Sequence, residues 1–78
     1  MLNVSLDELS EGRRLRVVRV ASGLTIWQLS QRSGVPSPRL SEYERDTGRL
    51  SAEALARVHT VLAEQLAGTY AEVNRAGV

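Results

Sequence analysis

Residues 25–44 read TIWQLSQRSGVPSPRLSEYE and contain two short helical segments separated by a glycine. The first segment opens with a capping box, in which Thr25 and Gln28 each satisfy a backbone N–H group of the other. The glycine between the segments is a typical helix stop. A second start follows at Ser37 and Pro38, where a capping residue precedes a proline at the first helical position.

Helix signals also dominate the rest of the chain, and strand signals such as alternating apolar runs or Asn-Gly turns are absent. The starts and glycine stops predict helices near residues 6–21, 26–32, 38–46, 52–67 and, as a short last one, 70–76. A helix of about seven residues is marginal alone, so the two short middle helices must form a tight, angled pair held by their neighbours. The predicted fold class is all-α, a small bundle of four to five helices containing a helix-turn-helix.

Size and composition narrow the possible functions. The 78 residues predict a single domain, and with no Cys and only one His a disulfide or a structural zinc site is excluded. No catalytic carboxylate pair, nucleophile–base set or Gly-rich phosphate loop is present, so we expect no enzyme activity, no cofactor and no bound metal. Neither a membrane span nor a signal peptide is evident. We therefore expect a soluble, cytoplasmic protein, and no small-molecule ligand is evident.

The positive charge is concentrated in the middle of the chain. Residues 1–11 carry a charge of −3, residues 12–49 carry eight Arg against three acidic residues, and residues 50–78 carry −1. An anionic partner would therefore bind the middle segment. All ten basic residues are Arg, which fits either genome composition or phosphate recognition by a planar guanidinium.

A longer pattern of spaced residues surrounds the opening stretch. Its members, in chain order, are Leu15-Arg16-x-Val18-Arg19, Gly23-Leu24-Thr25, Leu29-Ser30-x-x-Ser33-Gly34-Val35, Leu40-Ser41-x-Tyr43-Glu44-Arg45 and Leu55-x-x-Val58-x-x-x-Leu62. With these residues, the segment 12–62 resembles the Cro/C1-type (XRE-like) helix-turn-helix family. The resemblance implies a lambda-repressor-like DNA-binding domain, preceded by a lead-in at 1–11 and followed by an extension at 63–78.

The resemblance also implies roles for individual residues. The positions that would face base edges in the major groove are Ser37, Pro38, Arg39 and Glu42. The positions that would hold DNA phosphates are Thr25 and Gln28, at the amide end of the second helix, and Arg45 and Arg49, after the third. Arg19 and Glu44 match a structural ion pair beneath the recognition helix. The implied core consists of Leu15, Val18, Leu24, Leu29, Val35, Leu40, Leu55, Val58 and Leu62, with Tyr43 and a packed His59 beside it.

Four residues depart from the family pattern. Ile26 stands where a polar residue, commonly Gln, would touch the DNA backbone or a base reader. Pro38 and the acidic Glu42 stand on the reading surface, where Gln, Asn, Ser or Arg would suit DNA better. Pro36 replaces the usual capping Ser. These departures leave DNA binding as the expected function but make the reading edge atypical.

An additional apolar surface is expected on the first two helices. The residues of this candidate protein interface are Val17, Val20, Ile26 and Trp27, together with Leu66, Tyr70 and Val73 on a stripe that outruns the predicted core. Such a patch is unusual on a monomer. Either the chain's own ends cover it, through Leu2, Val4, Leu6 and Leu9 or through the apolar tail, or a second subunit or another protein does.

The leading interpretation is a small sequence-specific regulator of transcription that binds double-stranded DNA as a homodimer on a near-palindromic site. It would be a phage repressor, an antitoxin-like autoregulator or a stand-alone transcription factor. The alternative is a helix-turn-helix scaffold that binds protein, such as an anti-repressor or an adaptor. The exposed apolar residues and the nearly neutral total charge favour that alternative.

Overall fold

Four helices make up the computed structural model, which describes residues 8–76 and the side chains of residues 8–68. They are α1 (Glu11–Ala21), α2 (Ile26–Ser33), α3 (Ser37–Glu44) and α4 (Ala52–Ala76), and this part of the chain contains no strand. The all-α fold class expected from the sequence is confirmed. None of the helices within 8–76 has the length and apolar character needed to cross a bilayer.

The capping box at the start of α2 is present as predicted. The Thr25 hydroxyl accepts a hydrogen bond from the Gln28 backbone N–H at 3.0 Å, and the Gln28 side-chain oxygen accepts one from the Thr25 N–H at 2.9 Å. At the other end, Gly34 adopts a left-handed conformation (φ 75°) and donates its N–H to the Ser30 carbonyl. Because a residue without a Cβ takes this conformation at no steric cost, Gly34 ends α2 and turns the chain toward α3.

The first helix starts later than the sequence analysis placed it. Residues 6 and 7 lie outside the described part of the chain, and residues 8–10 are not in an α-helix. Ser10 is the N-cap, with its hydroxyl accepting a hydrogen bond from the Arg13 N–H at 3.2 Å. The helix therefore begins after Ser10, because a serine hydroxyl can satisfy a free N–H group of the first turn.

Both ends of α3 differ from the expected range 38–46. The helix begins at Ser37, and the N-cap position is occupied by Pro36, which makes no side-chain cap hydrogen bond. It ends at Glu44, and the left-handed residue that follows is Asp46 (φ 62°) and not Gly48. Aspartate is among the few residues with a side chain that tolerate this conformation, so the chain turns two residues before the glycine.

The predicted break at Gly68 and the separate last helix are wrong, because α4 runs without interruption from Ala52 to Ala76. A glycine inside a helix costs only about 1 kcal/mol relative to alanine. Leu66 and Ala67, which precede Gly68, are strong helix formers. The start of α4 follows expectation, since the Ser51 hydroxyl accepts a hydrogen bond from the Ala54 N–H at 3.1 Å.

The core lies between α4 and the helix-turn-helix pair. Its buried apolar residues are Leu15, Leu24, Leu29, Val35, Leu40, Ala54, Val58, Val61 and Leu62. Val18 and Tyr43 are half-buried against this cluster. Leu55 was expected in the core but is only half-buried, and His59, expected to pack, is exposed. The reason is the rotation of α4, which turns Ala54 and Val61 inward in their place.

Candidate nucleic-acid interface

Helices α2 and α3 are joined by the three residues 34–36. One face of α3 is buried against the core, and the other is largely exposed. Leu40 and Glu44 are buried and Tyr43 is half-buried against the core. The four expected base readers lie on the remaining surface, where Ser37 is half-buried and Pro38, Arg39 and Glu42 are exposed. The fold therefore brings these four together on one short helix whose outer face is open to solvent.

A buried ion pair between Arg19 of α1 and Glu44 of α3 links these two helices. The Arg19 guanidinium donates to both carboxylate oxygens of Glu44, at 2.7 and 2.9 Å, and its third contact is a 2.8 Å hydrogen bond to the Leu24 carbonyl. The side chains of Arg19 and Glu44 are only 12% and 4% exposed. A paired, two-pronged contact at this depth restricts the orientation of α3 relative to α1.

The front end of α2 offers backbone donors beside the side chains of Thr25 and Gln28. The polar atoms of Thr25 and Gln28 that form the capping box bond to each other's backbone. The N–H groups of Ile26 and Trp27, the first two residues of α2, have no acceptor in the described part of the chain. Free N–H groups at a helix N-terminus bind phosphate, and the helix dipole strengthens that binding.

The front end of α3, unlike that of α2, has no side-chain cap. The Pro36 carbonyl accepts hydrogen bonds from the N–H groups of Arg39 and Leu40, at 3.0 and 3.1 Å. The hydroxyl and N–H groups of Ser37 make no hydrogen bond to any residue that the structure describes. Ser37 and the exposed Arg39 are thus the groups at this end that remain available to a ligand.

The Glu42 side chain lies close to the turn that follows α3. Thr47 donates its backbone N–H and its hydroxyl to the Glu42 carbonyl, at 2.9 and 3.1 Å. The segment after α3 therefore folds back, and a Cβ placed on Gly48 would lie 3.1 Å from Oε2 of Glu42. The carboxylate lies along this turn at the edge of the reading surface.

Two of the acidic residues near α3 are paired with arginines of α1. Glu44 is neutralised by Arg19, and Asp46 lies 3.6 Å from Arg13. The three arginines at positions 39, 45 and 49 make no ion pair within residues 8–68, and all three are exposed. The surface at α3 and its following loop therefore presents three free guanidinium groups against the one carboxylate of Glu42.

This geometry agrees with the comparison of the chain with known protein families. A family model described as helix-turn-helix matches residues 15–67, which is more than half of the chain. The chain belongs to the Cro/C1-type helix-turn-helix family. Searches among curated proteins and among solved structures found no match at the required significance.

Membership identifies α2 and α3 as the helix-turn-helix of a family of DNA-binding transcription regulators. The matched segment includes α1, α2, α3 and the first part of α4, which ends beyond it at Ala76. The exposed face of α3 and the amide end of α2 lie within the match. The nucleic-acid interface of this family member is therefore expected on those two helices.

A second polar cluster in this helix-turn-helix protein was missed by the sequence analysis. The Ser10 hydroxyl donates to the Asp46 carboxylate, with oxygen distances of 2.7 and 2.9 Å. Nearby, the Tyr43 hydroxyl donates to Glu11 at 3.3 Å. Burial, and then the Glu11 carboxylate, raise the pKa of Tyr43 above its ordinary value, so the phenol keeps its proton at neutral pH. These contacts join the start of α1 to the end of α3.

Only some residues of the candidate protein interface form an exposed apolar surface in the described structure. Val17, Val20, Trp27 and Leu66 are 44%, 58%, 65% and 45% exposed. Ile26 differs from expectation, since it is half-buried and packs against the core. The side chains of Tyr70 and Val73, and the lead-in residues Leu2, Val4 and Leu6, lie outside the described residues.

Proposed function

We propose that this chain is a sequence-specific regulator of transcription that binds near-palindromic DNA as a dimer, with α3 as its reading helix. The observation that carries the proposal is the free positive surface at α3, where Arg39, Arg45 and Arg49 have no carboxylate partner among the described residues. Family membership supports DNA as the anion that this surface takes. Two reading helices about 34 Å apart would then occupy successive major grooves.

The position of each group on the surface determines whether it would contact a base or a phosphate. Arg39 lies in the first turn of α3 and is exposed, which suits a forked contact to guanine. Arg45 and Arg49 follow the helix, and the N–H groups of Ile26 and Trp27 open α2, so these groups suit phosphates on either side of the groove. Phosphate contacts set the position of α3, and the base contact sets the preferred sequence.

Replacing Arg39 and Arg49 separately tests this division of roles. A preferred duplex is first selected from a random library with the full chain. Arg39→Ala is expected to weaken the preferred duplex by about 1–3 kcal/mol and to relax the preference at one base pair. Arg49→Ala is expected to weaken preferred and random duplexes by the same factor and to reduce the salt dependence. Fluorescence anisotropy on both duplexes measures each effect.

Arg16→Ala is the matched control for this pair of variants. Arg16 is an exposed arginine on α1 that makes no ion pair in the described structure, so the variant loses the same charge away from α3. Its binding should equal that of the unmodified chain within about twofold. An unchanged base preference in the Arg39 variant would refute Arg39 as a reader.

A second function is favoured by one observation, the 65% exposure of Trp27 at the front of α2. A large aromatic side chain in this place suits binding of a protein, as in an anti-repressor or an adaptor. In that case Trp27→Ala would abolish capture of the protein partner, and Arg39→Ala would have no effect on it. DNA binding by the full chain at low salt decides for the first function.

A further inference from the structure

Beyond Leu62, the described side chains of α4 are exposed or half-buried. Among the side chains described in α4, those of residues 52–68, Leu62 is the last buried one, and Gln65 donates to the Ser22 carbonyl at 3.2 Å and accepts from Arg32 at 2.8 Å. The helix then continues for eleven residues, 66–76, which is about 16 Å at 1.5 Å per residue. Leu66, at the start of this protruding part, is 45% exposed.

An open groove lies beside the same helix. Its volume is about 560 Å³, and we call it the α1–α4 groove. The apolar residues that line it are Leu15, Val18, Tyr43, Leu55, Leu62 and Leu66. Along α4 the groove extends from Leu55 to Leu66, which is about 16 Å. The length of the groove thus equals the length of the protruding part of the helix.

The residues that α4 contributes to the groove have the spacing of a helix-packing seam. Leu55, His59, Leu62 and Leu66 follow each other at intervals of four, three and four residues. Alternation of three and four is the repeat that keeps one side of a helix against another helix. Only part of this seam is used within the chain, since Leu62 is buried while Leu55 is half-buried and Leu66 exposed.

The charged residues at the groove favour a partner that carries both an acidic and a basic residue. Glu11 and Arg14 lie at its edge, one acidic and one basic. Arg14 is half-buried, and its guanidinium makes no hydrogen bond or ion pair to the described residues. In a two-fold symmetric contact, each copy supplies the same pair, so Arg14 of one copy can meet Glu11 of the other.

We propose that the α1–α4 groove binds α4 of a second copy of this chain, reciprocally and in antiparallel orientation. If the pair of helices is centred at Glu64, residues 66–76 of one copy lie along residues 52–62 of the other. Leu66 then packs on Leu62 of the second copy. Each copy thereby covers the apolar seam that the other leaves exposed.

The groove and the reading surface can be used together, because they lie on opposite sides of α4. Arg39 borders a hollow with Arg57 of α4, whereas His59 of α4 lines the groove. Two residues apart on a helix are about 200° apart around its axis. A second copy in the groove therefore leaves α3 free. This proposal rests on the proposed function in one respect: the contact would form the dimer that binding to a near-palindromic site requires.

Sedimentation equilibrium of the full chain without DNA tests the interface. The unmodified chain is expected to dimerise, and Leu66→Arg is expected to raise the dimer dissociation constant about tenfold or more by placing a charge in the seam. Val17→Arg is the control, because Val17 is 44% exposed, matching the 45% of Leu66, but lies outside the groove. It should change the dissociation constant less than about twofold. Circular dichroism checks that each variant keeps its helices.

A cross-linking experiment tests the same interface without a disruptive charge. The chain has no Cys, so Ala63→Cys at the groove and Glu64→Cys, about 100° further around α4, each introduce one thiol. A short bis-maleimide is expected to link two copies of the Ala63 variant and to leave the Glu64 variant unlinked. Equal linking of both variants would contradict the antiparallel seam.

Three other results would overturn the proposal. One is a chain that stays monomeric at about 100 µM, a concentration that populates even weak dimers. Another is a dimer that Val17→Arg dissociates and Leu66→Arg does not. The third is a monomer that dimerises only after removal of residues 1–7, since the chain's own start would then fill the groove. Because no DNA is present, a chain that dimerises here but fails to bind DNA refutes the function and leaves the interface standing.

Discussion

Replacing Glu44 with alanine is expected to lower the free energy of unfolding by about 3–5 kcal/mol. The carboxylate is 4% exposed and accepts two hydrogen bonds from Arg19. Its removal leaves the guanidinium in a site where only the Leu24 carbonyl remains as an acceptor among the described residues. Urea unfolding followed by circular dichroism measures the loss, in a stabilised background if the variant is largely unfolded.

The double variant Arg19→Met, Glu44→Leu measures the interaction between the two side chains apart from the effect of removing one charge. Burying two apolar side chains of similar size removes both charges together, so the loss should be smaller than for either single variant. A coupling free energy of about 2 kcal/mol or more is expected from the cycle. A Glu44→Ala variant that loses less than about 1 kcal/mol, or strictly additive single losses, would show that the pair does not hold α3.

Replacing Gly12 with alanine is expected to cost about 3 kcal/mol, for a steric reason. A Cβ at this position would overlap the backbone carbonyl oxygen of Tyr43 and lie 2.9 Å from a carboxylate oxygen of Asp46. A backbone atom cannot move aside as a flexible side chain can, so α1 must shift away from α3. Thermal and urea unfolding of the variant measure the cost.

Gly68→Ala is the matched control for Gly12→Ala. Both glycines lie in helices, but a Cβ at Gly68 meets no atom within 4 Å of the described structure. Alanine there is expected to stabilise the chain by about 0.5–1 kcal/mol, since it reduces the freedom of the unfolded chain. If both variants lost stability equally, the close approach of α1 to α3 at Gly12 would be refuted.

Local rules accounted for most of the helix boundaries. Thr25 and Gln28 form their capping box because the two side chains are three residues apart and need only each other's backbone. Gly34 ends α2 because a left-handed residue is required there. Such devices depend on neighbouring residues alone, so they can be recognised in a sequence without knowing the fold.

The errors came where distant parts of the chain decide. Gly68 is a helix stop only when the chain turns after it, and α4 continues because nothing in its path forces a turn. Leu55 satisfies the core pattern as well as Ala54 does, but the rotation of α4 against α2 buries Ala54 and leaves Leu55 at the groove. The Ser10–Asp46 contact joins residues 36 positions apart, and spacing alone carries no signal for it.

The candidate site was predictable in its location but not in its details. The exposed face of α3 follows from the family resemblance. The sequence showed the Thr25–Gln28 capping box, but it did not show that the N–H groups of Ile26 and Trp27 have no acceptor among the described residues. It also did not show that Ile26 packs against the core, because burial depends on the packing of α2 against its neighbours.

The salt dependence of binding to a random-sequence duplex tests the central claim, that the free positive surface at α3 holds DNA phosphates. With Arg45 and Arg49 on phosphates in each subunit of a dimer, log K should fall with log salt at a slope of about −3.6 or steeper, at about −0.9 per phosphate. Anisotropy of a labelled duplex, read from about 20 to 200 mM salt, measures this slope. Absence of binding at the lowest salt, or binding that salt does not weaken, would contradict the account.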